Sequence, residues 1–266
     1  MTKQLIIIAD NLQITNQTIE RAIVNYDPEP IATMVKKCEA AGAQAIDINP
    51  GPIPLNTKEK MAFLVNTIQS ATDLPIVIDT ANPAAIYAGL KENRKKAIIN
   101  GFSLESVKLK KILPLAKRFN VEIIGYLLHP DGHVPANAHD RLQIAVEIFK
   151  ACENEGIDKN SLIIDPILPP VNWEKGPFQA LEVLSVIKIL PELLGFPVKT
   201  VVGLSNLTAG KGERAKKLLL ERTYLPMLCA SGLSMVLLNM FHHETIEIAK
   251  VCNTILSKDI FTWEEI

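Results

Sequence analysis

The sequence predicts a closed (β/α)8 barrel, a TIM barrel in a single domain spanning residues 1–266. Three observations predict it. Short β-branched runs alternate with longer helical windows from one end of the chain to the other, the runs number eight, and each is apolar throughout rather than alternating with polar residues. An uninterrupted apolar run belongs to a strand covered on both faces, as parallel sheets require. Periodicity does not report closure, so a doubly wound open sheet competes; the count of eight favours the barrel. No composition shift, linker or low-complexity segment marks a second domain, and 266 residues suit one barrel.

The elements follow in order. The run Leu5–Ala9 precedes a helical window at 28–42, which opens on Asp27-Pro28, a capping side chain followed by proline in the first turn. Ala45–Asn49 leads to 57–72, where Met61, Leu64, Val65 and Ile68 form the i, i+3, i+4, i+7 stripe of an amphipathic helix. Ile76–Asp79 leads to 83–92, opened by Asn82-Pro83. Ala97–Asn100 is followed by 105–119, Glu122–Tyr126 by 137–156, Leu162–Asp165 by 177–194, Thr200–Gly203 by 212–231, and Met235–Leu238 by 242–257. The nineteen residues from Thr223 to Phe241 carry no formal charge, which is near membrane-spanning length. They contain Pro226, Ser231, Gly232, Ser234 and Asn239, so a helix end followed by a buried strand is expected, and a soluble protein.

Composition narrows the function. Twenty-eight basic against twenty-nine acidic residues give a net charge of −1, which lacks the positive field of a nucleic-acid or anionic-membrane binder. With 48% hydrophobic residues, disorder is excluded. Cys38, Cys152, Cys229 and Cys252 are widely separated and form no C-x-x-C pair, so buried thiols in a reducing cytoplasm are expected. The apolar run at the start is too short for a signal peptide.

A barrel of this kind carries its active site at the carboxyl ends of the strands. Those ends read Asp10-Asn11, Asn49 after Asp47, Asp79, Asn100, a segment leading to His129, Asp165, Ser205-Asn206, and Asn239. Asp and Asn are common after any strand, but a polar residue at all eight ends points to a polar binding site. The rim is rich in Asp and Asn and has no histidines spread over several strands, which disfavours a hydrolytic metal centre; no bound metal is expected. His129, His133 and His139 lie together in one segment around an Asp-Gly turn and read as a solvated loop. There is no G-x-G-x-x-G and no G-x-S-x-G, and the Walker-like AGKGERAKK has Ser205 and Gly212 where glycine and a hydroxyl residue are needed. The basic stretches Lys108–Lys111 and Lys211–Lys217 read as solvated helix faces, with Lys211 and Arg214 close enough to the seventh strand to meet an anionic tail or a partner.

Carboxylates accept paired hydrogen bonds from a ring N–H and an adjacent amine, and asparagine reads neighbouring carbonyl and N–H groups. An aminopyrimidinone ring, as in a pterin or guanine, presents that mixed edge. Asp79, Asn100 and Asp165 could hold it, leaving Asn206 to face a reacting atom.

In AIDINPGP (45–52), VIDTANPAAIYAGL (77–90), AIIN (97–100), LIIDPILP (162–169), TVVGLSN (200–206) and ERTYLPMLCASGL (221–233), the chain resembles the methyltetrahydrofolate:corrinoid-protein methyltransferases of the pterin-binding barrel superfamily. The resemblance implies that Asp79, Asn100 and Asp165 bind the pterin and that Asn206 interacts with N5, the methyl-bearing atom. Asp47 and Asn49 match the family's Asp-x-Asn, and Gly203 and Ser205 line the same site. It further implies tetrahydrofolate or methyltetrahydrofolate as substrate, a corrinoid (cobalamin) carried by a partner protein, a homodimer, and direct displacement at the methyl carbon. Three departures stand out. The family's Gly-Glu-Arg-Ile-Asn reads Ala9-Asp10-Asn11-Leu12-Gln13, its Asn-Ser-Thr-Asn reads Asn100-Gly101-Phe102-Ser103, and a glutamine common after the N5-contacting asparagine is Ala209. They leave the pterin anchors intact and suggest a subgroup serving O-demethylase systems, in which methyl passes from a methylcorrinoid protein to tetrahydrofolate. Dihydropteroate synthase shares the fold, but its Ser-Thr-Arg-Pro loop after strand two is replaced by residues 50–54, Pro-Gly-Pro-Ile-Pro, and its basic pair near strand eight by His242 and His243. A non-catalytic folate-binding protein is the alternative from another class.

Overall fold

A computed structural model describes residues 4–51, 55–257 and 263. Eight parallel strands close into a barrel in chain order. The strands and helices run β1 Ile6–Gln13, α1 Gln17–Asn25, α2 Pro28–Ala40, β2 Ala45–Asn49, α3 Thr57–Ala71, β3 Ile76–Asp79, α4 Pro83–Glu92, β4 Ala97–Phe102, α5 Ser106–Lys111, α6 Leu113–Phe119, β5 Glu122–Tyr126, α7 Ala138–Glu155, β6 Leu162–Asp165, α8 Gly176–Leu194, β7 Lys199–Gly203, α9 Arg214–Ala230, β8 Met235–Leu238 and α10 His243–Leu256. Closure is made by β1 on β8, with Ile6 opposite Met235 and Ala9 opposite Leu238. The open-sheet alternative is thereby excluded.

Several starts and stops follow from local chemistry. Asp27 and Asn82 cap α2 and α4 through their side chains, with proline in the first turn of each. The uncharged run near the end divides into α9 and β8, separated by a turn at Gly232, whose φ of +97° glycine adopts without strain. Among the described residues no helix is long and apolar enough to cross a membrane. All four cysteines are buried and unpaired.

The structure corrects several expectations, among them the single helix at 105–119, which is two, α5 and α6. β1 continues past Ala9 to Gln13, so Asp10 and Asn11 lie within a strand rather than after it; its register against β2 shifts between Ala9 and Leu12. β4 likewise extends beyond Asn100 to Phe102, with a shift against β5. The first strand is followed by two helices, because α1, capped by the Asn16 side chain, buries Ile19, Ala22 and Ile23 before α2 begins.

Two apolar layers organise the core. The larger fills the space between strands and helices. The smaller lies inside the barrel and takes one residue from every strand: Ile8, Ala45, Val77, Ile98, Ile124, Ile163, Val201 and Met235. Side chains alternate along a strand, so the residue two positions on from each of these faces the same lumen. That next layer reads Asp10, Asp47, Asp79, Asn100, Tyr126, Asp165, Gly203 and Leu237. A greasy plug thus carries a polar floor at the carboxyl end of the barrel.

Candidate active site

The polar floor is built around Asp47, Asp79, Asn100 and Asp165. Asn49 Nδ2 donates to Asp79 Oδ2 at 2.7 Å, while its own Oδ1 accepts from the Gly51 amide at 3.1 Å. The Asn49 amide is thereby fixed and one oxygen of Asp79 is oriented. Asn100 is held from the next strand, where the Tyr126 hydroxyl donates to its Oδ1 at 2.7 Å. With Oδ1 engaged, the Asn100 amide also hydrogen-bonds toward the Asp47 carboxyl, partly offsetting the burial that raises its pKa. One Asp165 oxygen accepts from the Ile167 amide at 2.8 Å, in a loop that takes Ile167 through φ +60°, a conformation seldom adopted by a β-branched residue.

Charge crowding dominates the electrostatics. Asp47 is only 1% exposed and its Oδ1 has no hydrogen-bond partner. Burial pushes its pKa well above the usual carboxylate range, and the nearby Asp79 and Asp10 push it further. Burial raises Asp79 to about 6 against the Asn49 hydrogen bond. Asp165 is raised to about 7 by burial, opposed by the Ile167 amide and the Arg141 charge and reinforced by Asp79. Asp10 is raised to about 6 by burial and then by Glu221. The Tyr126 hydroxyl is held protonated by burial and by the carboxylates of Asp79, Asp165 and Asp47. The floor is rich in acceptors and short of donors, so it suits a ligand that brings N–H groups.

The structure brings Asp47, Asn49, Asp79, Asn100 and Asp165 together. Gly203, Ser205 and Asn206 sit at the end of β7, with Ser205 and Asn206 exposed on a 3₁₀ turn at residues 204–208. The Asn206 amide lies close over Gly203, where a β-carbon would approach its Nδ2 to 3.1 Å. Lys211 and Arg214 are exposed, before and at the start of α9. His129, His133 and His139 do not converge on the floor. His133 pairs with Asp131 on an exposed turn, and His139, in the first turn of α7, contacts Gln143. Among the described residues no group of histidine, cysteine, aspartate or glutamate is arranged to hold a metal ion.

Strand ends alone miss Tyr126 and Glu221. Counting in steps of two from the apolar layer would have found Tyr126 and set Asp10 on the floor. Glu221 is a buried carboxyl on α9 that accepts from the Thr208 hydroxyl and faces Asp10, and strand periodicity carries no signal for it. Asn11 and Asn239, both read as rim residues, bond each other at 2.9 Å, and Asn11 also accepts from the Met240 amide. They tie β1 to the segment after β8. Of the segment 50–54, residues 52–54 lie outside the described residues, as does the last position of the 45–52 motif.

The model of the pterin binding enzyme family matches residues 12–237. The chain is 23% identical over 214 residues to a methylcorrinoid:tetrahydrofolate methyltransferase of Eubacterium limosum, covering 79% of this chain and 77% of that protein. It is 21% identical over 206 residues to the methionine synthase of Mycobacterium tuberculosis; this covers 74% of the chain but 17% of that much longer protein. Among solved structures, the dihydropteroate synthase of Stenotrophomonas maltophilia with active-site-bound imidazole superposes with a TM-score of 0.72 at 16% identity, covering 98% of this chain and 96% of the other. A Yersinia pestis DHPS with a pterine–sulfa conjugate gives 0.71 at 14%, covering 95% and 93%. At these identities the structural likeness shows the fold alone.

Proposed function

Because the chain belongs to the pterin-binding enzyme family, we propose that it is a methyltransferase that moves a methyl group between N5 of tetrahydrofolate and the cobalt of a corrinoid protein. The floor carries this reading: Asp79 and Asp165 offer acceptors, each with one oxygen oriented by a hydrogen bond, and Asn100 offers an amide fixed by Tyr126. A pterin ring has the complementary edge, with adjacent N–H and amine donors and a carbonyl. Asp79 and Asp165 accept from the donors and Asn100 donates to the carbonyl or a ring nitrogen. Asp47 and Asn49 set the charge and orientation of that group, and Gly203 and Ser205 shape the wall. The favoured direction runs from the methylcorrinoid protein to tetrahydrofolate, as the name of the Eubacterium limosum relative has it.

The corrinoid, supplied by the partner, provides a cobalt–carbon bond as methyl source or a cobalt nucleophile as methyl acceptor. This chain's residues bind and orient the folate. Asn206, exposed at the mouth, is the group proposed to face N5. Its amide donates to a neutral N5 or accepts from a protonated one by rotation, so it serves displacement in either direction without titrating. Orientation and fixed dipoles then supply most of the catalysis. Lys211 and Arg214, exposed beyond the turn, are proposed to meet the folate's glutamate tail or the corrinoid protein. A homodimer is proposed from the apolar side chains exposed on neighbouring helices, Phe178, Leu181, Ile189 and Leu193 on α8 with Leu219 and Met227 on α9.

Asn206→Ala tests the division of labour. Methyl transfer should fall by about tenfold or more while tetrahydrofolate affinity changes by less than about threefold. Equal losses in both would make Asn206 a binding residue only.

A further inference from the structure

Arg141 lies on α7, outside the lumen, and is fully buried. Its Nε donates to the Pro166 carbonyl at 3.1 Å and one terminal nitrogen reaches Gln179 Oε1 at 3.4 Å. The other terminal nitrogen, Nη1, is buried without a hydrogen-bond partner among the described residues. Both oxygens it bonds are neutral. A buried guanidinium without a carboxylate in contact is costly to keep, and a packing role alone would be filled as well by an uncharged side chain of similar volume. Its location gives the charge a task. Pro166 lies between Asp165 and Ile167, so Arg141 grips the middle of the bend whose ends are joined by the Ile167 amide and the Asp165 carboxylate.

We propose that Arg141 is a positioning residue for Asp165: it pins the strained 165–167 bend through the Pro166 carbonyl and supplies the positive field that keeps the Asp165 carboxylate ionised to accept the pterin's N–H groups. The inference rests on the folate-binding reading above.

The charges around the pair set the sign. Asp165 faces Arg141 from α7, Asp79 from β3 and Tyr126 from β5; Arg141 faces Glu182 from α8 and Tyr224 from α9. Burial raises Asp165 to about 7, and Arg141 is the positive side chain that opposes it. Burial also lowers Arg141 to about 10, so it remains charged throughout the neutral range. Loss of that charge lets Asp165 hold its proton to higher pH. The protonated carboxyl has lost half of its acceptor capacity and binds the donor edge poorly.

Tetrahydrofolate affinity measured by calorimetry from pH 5.5 to 8.5 tests the proposal. For the wild type, affinity should fall as pH drops through about 7. In Arg141→Gln the midpoint should move up by about one pH unit, weakening binding about fivefold at pH 7, close to tenfold at pH 5.5 and by less than about threefold at pH 8.5. Arg141→Lys, which keeps the charge, should retain the wild-type midpoint. An Arg141→Gln loss of the same factor at every pH would overturn the proposal and leave a purely structural arginine. If Arg141→Gln does not fold, Asp165→Asn carries the test: an amide does not titrate, so the fall in affinity centred near pH 7 should vanish, and a fall that keeps its wild-type midpoint overturns the proposal. A wild type that binds no tetrahydrofolate at any pH would instead sink the folate reading on which the inference rests.

Discussion

Asp47 occupies a position where a negative charge is hard to keep, fully buried, beside two other carboxylates, and with one oxygen unpartnered. Its folded-state pKa is raised above the unfolded value, so the folded protein holds this proton more tightly than the unfolded chain. That stability is present at low pH and is lost as pH rises from the unfolded value of 3.8 through the raised folded one. Asp47→Asn should therefore stabilise the ligand-free protein at pH 8 by about 1–2 kcal/mol, with little effect at pH 4. Thermal unfolding at the two pH values checks this, and a variant less stable than the wild type at pH 8 would contradict it. Tyr126 makes a second prediction. Tyr126→Phe removes the donor that fixes the Asn100 amide, and tetrahydrofolate affinity should fall about five- to tenfold in a titration, with the fold retained. Asp79, Asn100 and Asp165 were legible as candidate ligands because polar side chains closing apolar runs are visible in a sequence. Tyr126 was hidden because an aromatic residue at the end of a β-branched run looks like more core.

At the scale of elements, proline behind a capping side chain was a dependable sign, and α2 and α4 begin where Asp27-Pro28 and Asn82-Pro83 announce them. The Asn82 side chain accepts from the amides of Ala84 and Ala85, so Asn82→Ala should lower stability by about 1 kcal/mol in denaturant unfolding. Other boundaries were not legible. β1 and β4 run on through polar residues or glycine because the barrel's hydrogen-bond ladder continues there, with irregular register, and a break in apolar character was mistaken for the strand's end. The window at 105–119 is two helices, broken at Ile112 ahead of Pro114, since proline supplies no amide to continue the ladder. α1 spans only nine residues ahead of α2 and was passed over, although Ile19, Ala22 and Ile23 form a distinct buried stripe on it.

For the whole molecule, closure was legible only through the count of strands, because each strand's neighbours depend on register that no single segment contains. Once closed, the barrel's period-two layering makes the site inevitable: one apolar residue per strand below, and the charged and amide groups directly above. The surface carries its own prediction. If the apolar faces of α8 and α9 join two copies, Leu219→Lys combined with Met227→Lys should convert a dimer into a folded monomer in sedimentation equilibrium. A wild type that is already monomeric at micromolar concentration would contradict it. The central claim concerns what happens above the floor, and it is tested most directly by mixing the protein with tetrahydrofolate and a methylated corrinoid protein, or methylcobalamin, and following the cobalt absorption spectrum. The account predicts conversion of the methyl–cobalt spectrum to that of the demethylated, reduced corrinoid, with methyltetrahydrofolate formed in equal amount; no methyl transfer in either direction would contradict it.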